Sequence, residues 1–221
     1  MSALFANVDW LEIARAAGET LGMLSGSLVL TVLAGLPLGV ALFVTAPGQL
    51  LARPAAHAAL AFAVNVLRSV PFIILLILMI PLTLALAGTS LGVRGAIPPL
   101  VAGAAPFFAR LVETSLREVD PGVVEAAQAM GARPRDIVIR FLLPEALPGI
   151  LAGATVTAIA LVSYTAMAGV VGAGGLGDLA IRFGYQRFQT DVMVVTVVLL
   201  LAFVQLLQTV GDRLVSHVSH R

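Results

Sequence analysis

Thr20–Phe43 reads TLGMLSGSLVLTVLAGLPLGVALF, and none of these residues is charged. A helix needs about 20 mostly apolar residues to cross a hydrocarbon layer. This stretch meets that requirement and sets the fold class as a membrane-spanning helical protein. Pro37 inside it is compatible with a span, because neighbouring helices can satisfy the carbonyl it frees. Pro47-Gly48 closes the segment with a turn. Upstream, residues 7–19 carry Asp9, Glu12 and Glu19 and read as a short amphipathic lead-in. Trp10 at its start suits the membrane–water interface. With those acids and no basic n-region, the N-terminal stretch is not expected to be a cleavable signal peptide.

Further spans follow toward the C-terminus. The second, 55–87, is split: Ala55–Leu67, an interruption at Arg68-Ser69-Val70-Pro71, then Phe72–Ala87. The third covers about 96–115, the fourth about 146–168 and the fifth about 192–210. The expected fold is therefore an all-α membrane protein with five transmembrane helices in a single domain, 1–221. Composition agrees. Apolar residues make up 59% and charged residues 11%, against about a quarter charged in soluble domains. The absence of cysteine excludes disulfides, thiolate catalysis and cysteine metal sites. A net charge of +1 argues neither way on nucleic acid, and no nucleic-acid partner is expected.

Five spans put the termini on opposite sides, and the arginines choose the direction. With the N-terminus outside, the inner segments hold Arg53, Arg68, Arg110, Arg117, Arg133, Arg135, Arg140, Arg213 and Arg221. The outer segments then hold only Arg15, Arg94, Arg182 and Arg187. The expected arrangement is N-terminus outside, C-terminus cytoplasmic, and loop 117–145 in the cytoplasm.

That loop is the one sizeable polar stretch, and it reads as two short helices. Asp120 can N-cap the first, with Pro121 at its first helical position. Val123, Ala126, Ala127 and Met130 recur at helical spacing and form a small apolar face with no span of its own to pack against. Glu125 sits at the edge of that face. Gly131 fits just past the helix end, where a left-handed backbone is needed. Pro134 starts a second helix that runs to about Leu143, where Pro144 stops or kinks it. Either this is a folded interfacial loop, or its first helix docks a cytoplasmic partner.

Glu125-Ala126-Ala127, Gly131 four positions on, and later Phe141-x-Leu143-Pro144 resemble the EAA loop of bacterial ABC-importer permeases. The family usually carries Ile at the position of Phe141, and an apolar residue is retained here. Further stretches resemble the methionine-importer permeases within that family. These are Arg68–Leu76 (RSVPFIILL), Gly103–Phe107 (GAAPF), Leu142–Gly149 (LLPEALPG), Val171–Gly177 (VGAGGLG) and Gly211-Asp212-Arg213. The similarity runs from about residue 20 to the end. It implies a type I importer architecture in a bacterial inner membrane. It also implies partnership with a second copy of the chain, two copies of a cytoplasmic ATPase and an external substrate-binding lipoprotein. In that setting Val123, Glu125, Ala126, Ala127, Met130, Gly131, Leu143 and Pro144 form the ATPase-coupling segment, and no cofactor is expected in this chain.

Other signals are more open. Gly172-x-Gly174-x-x-Gly177 matches the dinucleotide pattern GxGxxG. Without a strand–turn–helix unit around it, that reading is rejected. Gly172, Gly174, Gly175 and Gly177 instead form an external crossing that helps build an outer gate, or a plain glycine-rich loop. Arg68, beside Ser69, is either functional or snorkels to the inner interface. Ser163, Tyr164 and Met167 lie in span four, with Tyr164 and Met167 on one face by their spacing of three. Packing between helices is the preferred reading for them, and lining of a translocation path is the alternative. His217 and His220 read as a solvated tail rather than a metal pair.

Three function classes compete. An ABC permease needs no catalytic group of its own, and the sequence carries no Walker motif or Ser–His–Asp arrangement. An ion-coupled transporter usually places ionisable residues deep in its spans. Here only Arg68 and Arg110 are expected there, both near the inner face. An intramembrane enzyme lacks its catalytic groups. The expected function is thus a permease subunit that carries an amino acid, methionine by the resemblance. Another neutral amino acid is the alternative, and no span offers a buried acid to a cationic substrate.

Overall fold

The computed structural model describes residues 7–219. Arg221, which the charge bias counted, and His220 lie outside them. Among the described residues the regular elements are helical. The first, α1 (Trp10–Thr45), is one helix of 36 residues, so the expected boundary between lead-in and span does not exist. The acids that suggested it are all engaged. Asp9 Oδ1 accepts the Leu11 and Glu12 N–H groups at 2.9 and 3.2 Å, capping the first turn. Glu12 pairs with Arg182 at 3.3 Å and Glu19 with Arg15 at 3.4 Å.

The second expected span is three helices: α2 (Pro54–Ser69), α3 (Phe72–Leu78) and α4 (Ile80–Ala87). Pro71, with φ −56° and ψ 134°, precedes α3. Proline disfavours helical backbone in the residue before it, so the chain breaks at Val70, and α2 and α3 are bent by 103°. Four segments remain long and apolar enough to span by themselves: α1, α5 (Gly92–Arg117), Leu147–Ala173 and Thr190–Ser219. The bent α2–α3 pair makes a fifth if counted as one broken span.

Between α5 and the next long helix lie α6 (Pro121–Ala129), α7 (Pro134–Ile137), a π-turn over Val138–Leu142 and α8 (Leu143–Glu145). Then follow α9 (Leu147–Ala168), a π-turn over Gly169–Ala173, α10 (Gly175–Leu179), a π-turn over Ala180–Tyr185 and α11 (Thr190–Ser219). The last helix runs past the expected end of span five and takes in His217.

The chain packs as two compact units, to each of which α1, α5, α9 and α11 contribute. The first comprises the chain through Leu30, Val70–Ala104 and Ala158–Gln208. Its core gathers Met23, Leu24, Phe72, Leu76, Leu100, Leu161 and Val162, with a satellite of Ile13, Ala16, Leu176, Leu179 and Val192. The second comprises Thr31–Ser69, Ala105–Thr157 and the chain from Thr209. Its core joins Phe43, Phe108, Val112 and Leu116 to Ala127, Ile137 and Leu142. In this unit Gly35 and Gly39 let α1 approach α5. A Cβ at Gly35 would run into the Ala105 carbonyl and Phe108, and one at Gly39 into the Ala109 carbonyl and Val112. Small residues four apart are a common means of close helix packing in lipid, where apolar burial alone supplies little drive.

Candidate functional site: a coupling segment, a groove and a glycine turn

The coupling segment belongs to the second unit. Asp120 Oδ1 accepts the Gly122 N–H at 2.7 Å, and Pro121 opens α6. At the far end Gly131 has φ 78°. The Gly131 N–H donates to Gln128 O at 2.9 Å and the Ala132 N–H to Ala127 O at 3.1 Å. This is the Schellman pattern that a left-handed glycine allows.

The expected apolar face divides along its length. Ala127 is fully buried, and Val123 and Val124 pack with it against Val119, Ile137 and Leu142. Ala126, Glu125 and Met130 stay exposed, Met130 to 70%. The face therefore does have a surface of its own to pack on, because 134–142 folds back to provide one. What remains open is the edge carrying Ala126 and Met130, four apart on one stripe.

Pro144 does not stop the second helix; the helix continues past it through a local π-turn. The proline's missing N–H would have pointed at the Arg140 carbonyl, one turn back. The π-turn removes the conflict: bonds there reach one residue further, as from the Leu143 N–H to Val138 O. The chain then continues through α8, with Leu143 half-buried and Pro144 exposed. Beside α6 lies a cleft of about 400 Å³, lined in part by Arg117, Pro121, Val124, Glu125 and Gln128.

One group near this cleft was missed from the sequence. Glu113 is 3% exposed in α5. Its Oε2 accepts from Arg110 Nη1 and its Oε1 from Arg117 Nη2, both at 2.6 Å. Arg110 also donates to Asn65 Oδ1 at 3.0 Å, joining α5 to α2. The signal was present as Arg110-x-x-Glu113-x-x-x-Arg117, in which both arginines share a helix face with the acid. The statement that no span holds a buried acid is thus corrected. Span three holds one, with both carboxylate oxygens taken by arginine.

The candidate path residues fall into different surroundings. Arg68 and Ser69, in the second unit, are exposed at the end of α2. The Arg68 guanidinium lies 6.0 Å from the Phe107 ring centroid, and the Ser69 hydroxyl donates to Asn65 O at 2.8 Å. In the first unit Tyr164 and Met167 do not share surroundings. Tyr164 stacks on Phe72, with centroids 4.4 Å apart and planes within 6°. Met167 is exposed and lines a groove of about 490 Å³ with Ser163, Val162, Val170, Leu200 and Leu201. Ser163 and Met167 are separated by four residues, about 40° around the helix, whereas Tyr164 and Met167 are separated by about 60°. The two offsets lie on opposite sides of Met167, so Ser163 and Tyr164 are about 100° apart, which turns the ring toward the core.

The four glycines span a break between helices, with non-helical backbone at Gly172 and Gly174 and helix resuming at Gly175. Gly172, Gly174 and Gly175 have φ of 90°, 79° and 82°, and Gly175 and Gly177 are buried. A Cβ at Gly177 would fall on the Ala166 backbone. Among the described residues no strand precedes this turn, so the match to a dinucleotide fingerprint has no structural counterpart.

Comparison with known proteins decides the class. The sequence profile of the binding-protein-dependent transport system inner membrane component family matches residues 35–221. The chain belongs to this family. As an inner membrane transport component it is 52% identical over 187 residues to the probable D-methionine transport system permease protein MetI of Vibrio cholerae, covering 85% of this chain and 83% of that one. It is 46% identical over 217 residues to the methionine import system permease protein MetP of Bacillus subtilis, covering 98% of each. Its fold matches a chain of the MetNI methionine ABC transporter, solved in inward-facing conformations, with a TM-score of 0.93 and 48% identity over 95% of this chain and 97% of that one. The family match over residues 35–221 takes in the coupling segment, the groove and the glycine turn.

Proposed function

We propose that this chain is the permease subunit of an ABC importer for methionine, with its N-terminus outside and its C-terminus in the cytoplasm. Two copies form the translocation path, two copies of a cytoplasmic ATPase drive it, and an external binding lipoprotein delivers the amino acid. The observation that carries the reading is the likeness to the MetNI chain across nearly the whole length of both. The exposed edge of α6 supports the coupling role. It offers Ala126 and Met130 as apolar anchors one turn apart, with Glu125 beside them, which is the pattern of helix-in-groove docking.

The groove fits the substrate class. It is mostly apolar, with Ser163 as a hydrogen-bonding group and the Met167 thioether as a soft, polarisable surface. Glu113 does not favour a cationic substrate, because its carboxylate is already held by two guanidinium groups. The test is co-expression with the ATPase subunit. A stable complex whose ATP hydrolysis resides in the partner supports the reading. A chain that drives ion-gradient-dependent flux alone would refute it.

A further inference from the structure

The glycine turn is fastened to α1 by side chains from two consecutive positions. The Gly175 N–H donates to Glu19 Oε2 and the Leu176 N–H to Thr20 Oγ1, each at 2.9 Å. The partners are 156 residues apart in sequence. Thr20 is 1% exposed and Leu176 is fully buried, so water does not substitute at the second bond. These two N–H groups open α10 and have no helical partner of their own. The surfaces also fit by shape. A Cβ at Gly174 would meet the Glu19 carboxylate, and one at Gly175 the Thr20 hydroxyl and the Met23 methyl. Around the clasp, Arg15 pairs with Glu19 at 3.4 Å, and Arg182 bridges Asp178 at 2.8 Å and Glu12 at 3.3 Å. All of these line one cleft of about 340 Å³.

We infer that Glu19 and Thr20 are positioning residues for the outer gate. They latch the Gly172–Gly177 turn onto α1 when the outer side is closed and release it when that side opens. The inference rests on the reading of this chain as an importer permease with its N-terminus outside. The chemistry suits a reversible latch. A charged acceptor gives the stronger bond and a hydroxyl the weaker one, yet each contributes modestly after exchange with other partners. A gate so held is biased toward closure without being locked, and a delivering partner can shift it by binding the open form better.

The test uses the assembled transporter in membranes. The chain has no cysteine, so Ala173→Cys provides a single thiol in the turn, at a position 4% exposed. Its labelling rate by a membrane-impermeant maleimide reports release of the turn. Thr20→Val keeps the shape and removes the acceptor, whereas Thr20→Ser keeps the acceptor and removes a methyl. The latch predicts labelling about fivefold to tenfold faster with Val, as loss of one hydrogen bond implies, and near the parent rate with Ser. Labelling as fast with Ser as with Val, or unchanged with both, would overturn it. If the Val variant does not assemble, Glu19→Met, which keeps the length and removes the acceptor, gives a second arm: faster labelling than the parent supports the latch, and an unchanged rate contradicts it. A parent that shows the labelling pattern but imports no methionine would refute the substrate reading and leave the latch standing.

Discussion

Tyr164 lies flat on Phe72, with ring centroids 4.4 Å apart and planes within 6°. The stack joins α9 to α3 inside the first unit, next to the point where the chain re-forms a helix after Pro71. Phe72 is 7% exposed and belongs to the core of that unit. Tyr164 is therefore packed on the core of the first unit, while Ser163 beside it lines the groove.

This separation predicts different outcomes for neighbours in sequence. Tyr164→Ala should lower the thermal stability of the purified protein by about 3 kcal/mol, as loss of a large packed aromatic does. Met167→Ala should leave stability nearly unchanged and raise the KM for uptake. Thermal unfolding in detergent and uptake kinetics check the two together.

Glu113 predicts an asymmetric response. Glu113→Ala leaves two guanidinium groups without their carboxylate, and removing one partner of a buried ion group costs about 3–5 kcal/mol. Arg117, with a side chain 55% exposed, is the more solvated partner, whereas Arg110 also holds Asn65, so Arg117→Ala should cost far less than Arg110→Ala. Denaturation midpoints of the three variants would show that order.

Gly131 provides a conformational test, because a Cβ there meets nothing within 4 Å. Within this chain, any effect of substitution comes from its φ of 78°. Gly131→Val should distort the end of α6 and uncouple ATP hydrolysis from uptake, at a strain on the order of 1–3 kcal/mol. Gly131→Asn should retain most uptake, since Asn tolerates the left-handed region. Paired ATPase and uptake assays on the assembled complex separate these outcomes.

The orientation has its own test. A reporter active only in the cytoplasm should be active when fused after Arg221 and silent when placed at Gly92. The reverse pattern would overturn the arginine argument.

What the sequence made legible was local. The Asp120 cap, Pro121 at the helix start and the left-handed Gly131 each depend on a few adjacent residues, and all three stand in the structure. The uncharged runs likewise revealed the long helices. What escaped depended on distant partners. Glu19 read as the end of an amphipathic lead-in because its contact at Gly175 is not adjacent in the chain. The inward edge of α6 looked unpartnered because Ile137 and Leu142 return to it only after a turn. At Pro144 a stop and a kink stood open together, because a π-turn leaves no mark in apolar periodicity. Glu113 is the exception, since its arginines stand at helical spacing and were not weighed with it.

The central claim is uptake of methionine, and competition measures it most directly. The chain would be expressed with its ATPase and binding lipoprotein in cells lacking other methionine importers, and labelled methionine uptake followed against unlabelled amino acids. ATP-dependent uptake, suppressed by methionine far more than by lysine, is the predicted result. Uptake that lysine suppresses as well as methionine does would contradict the claim.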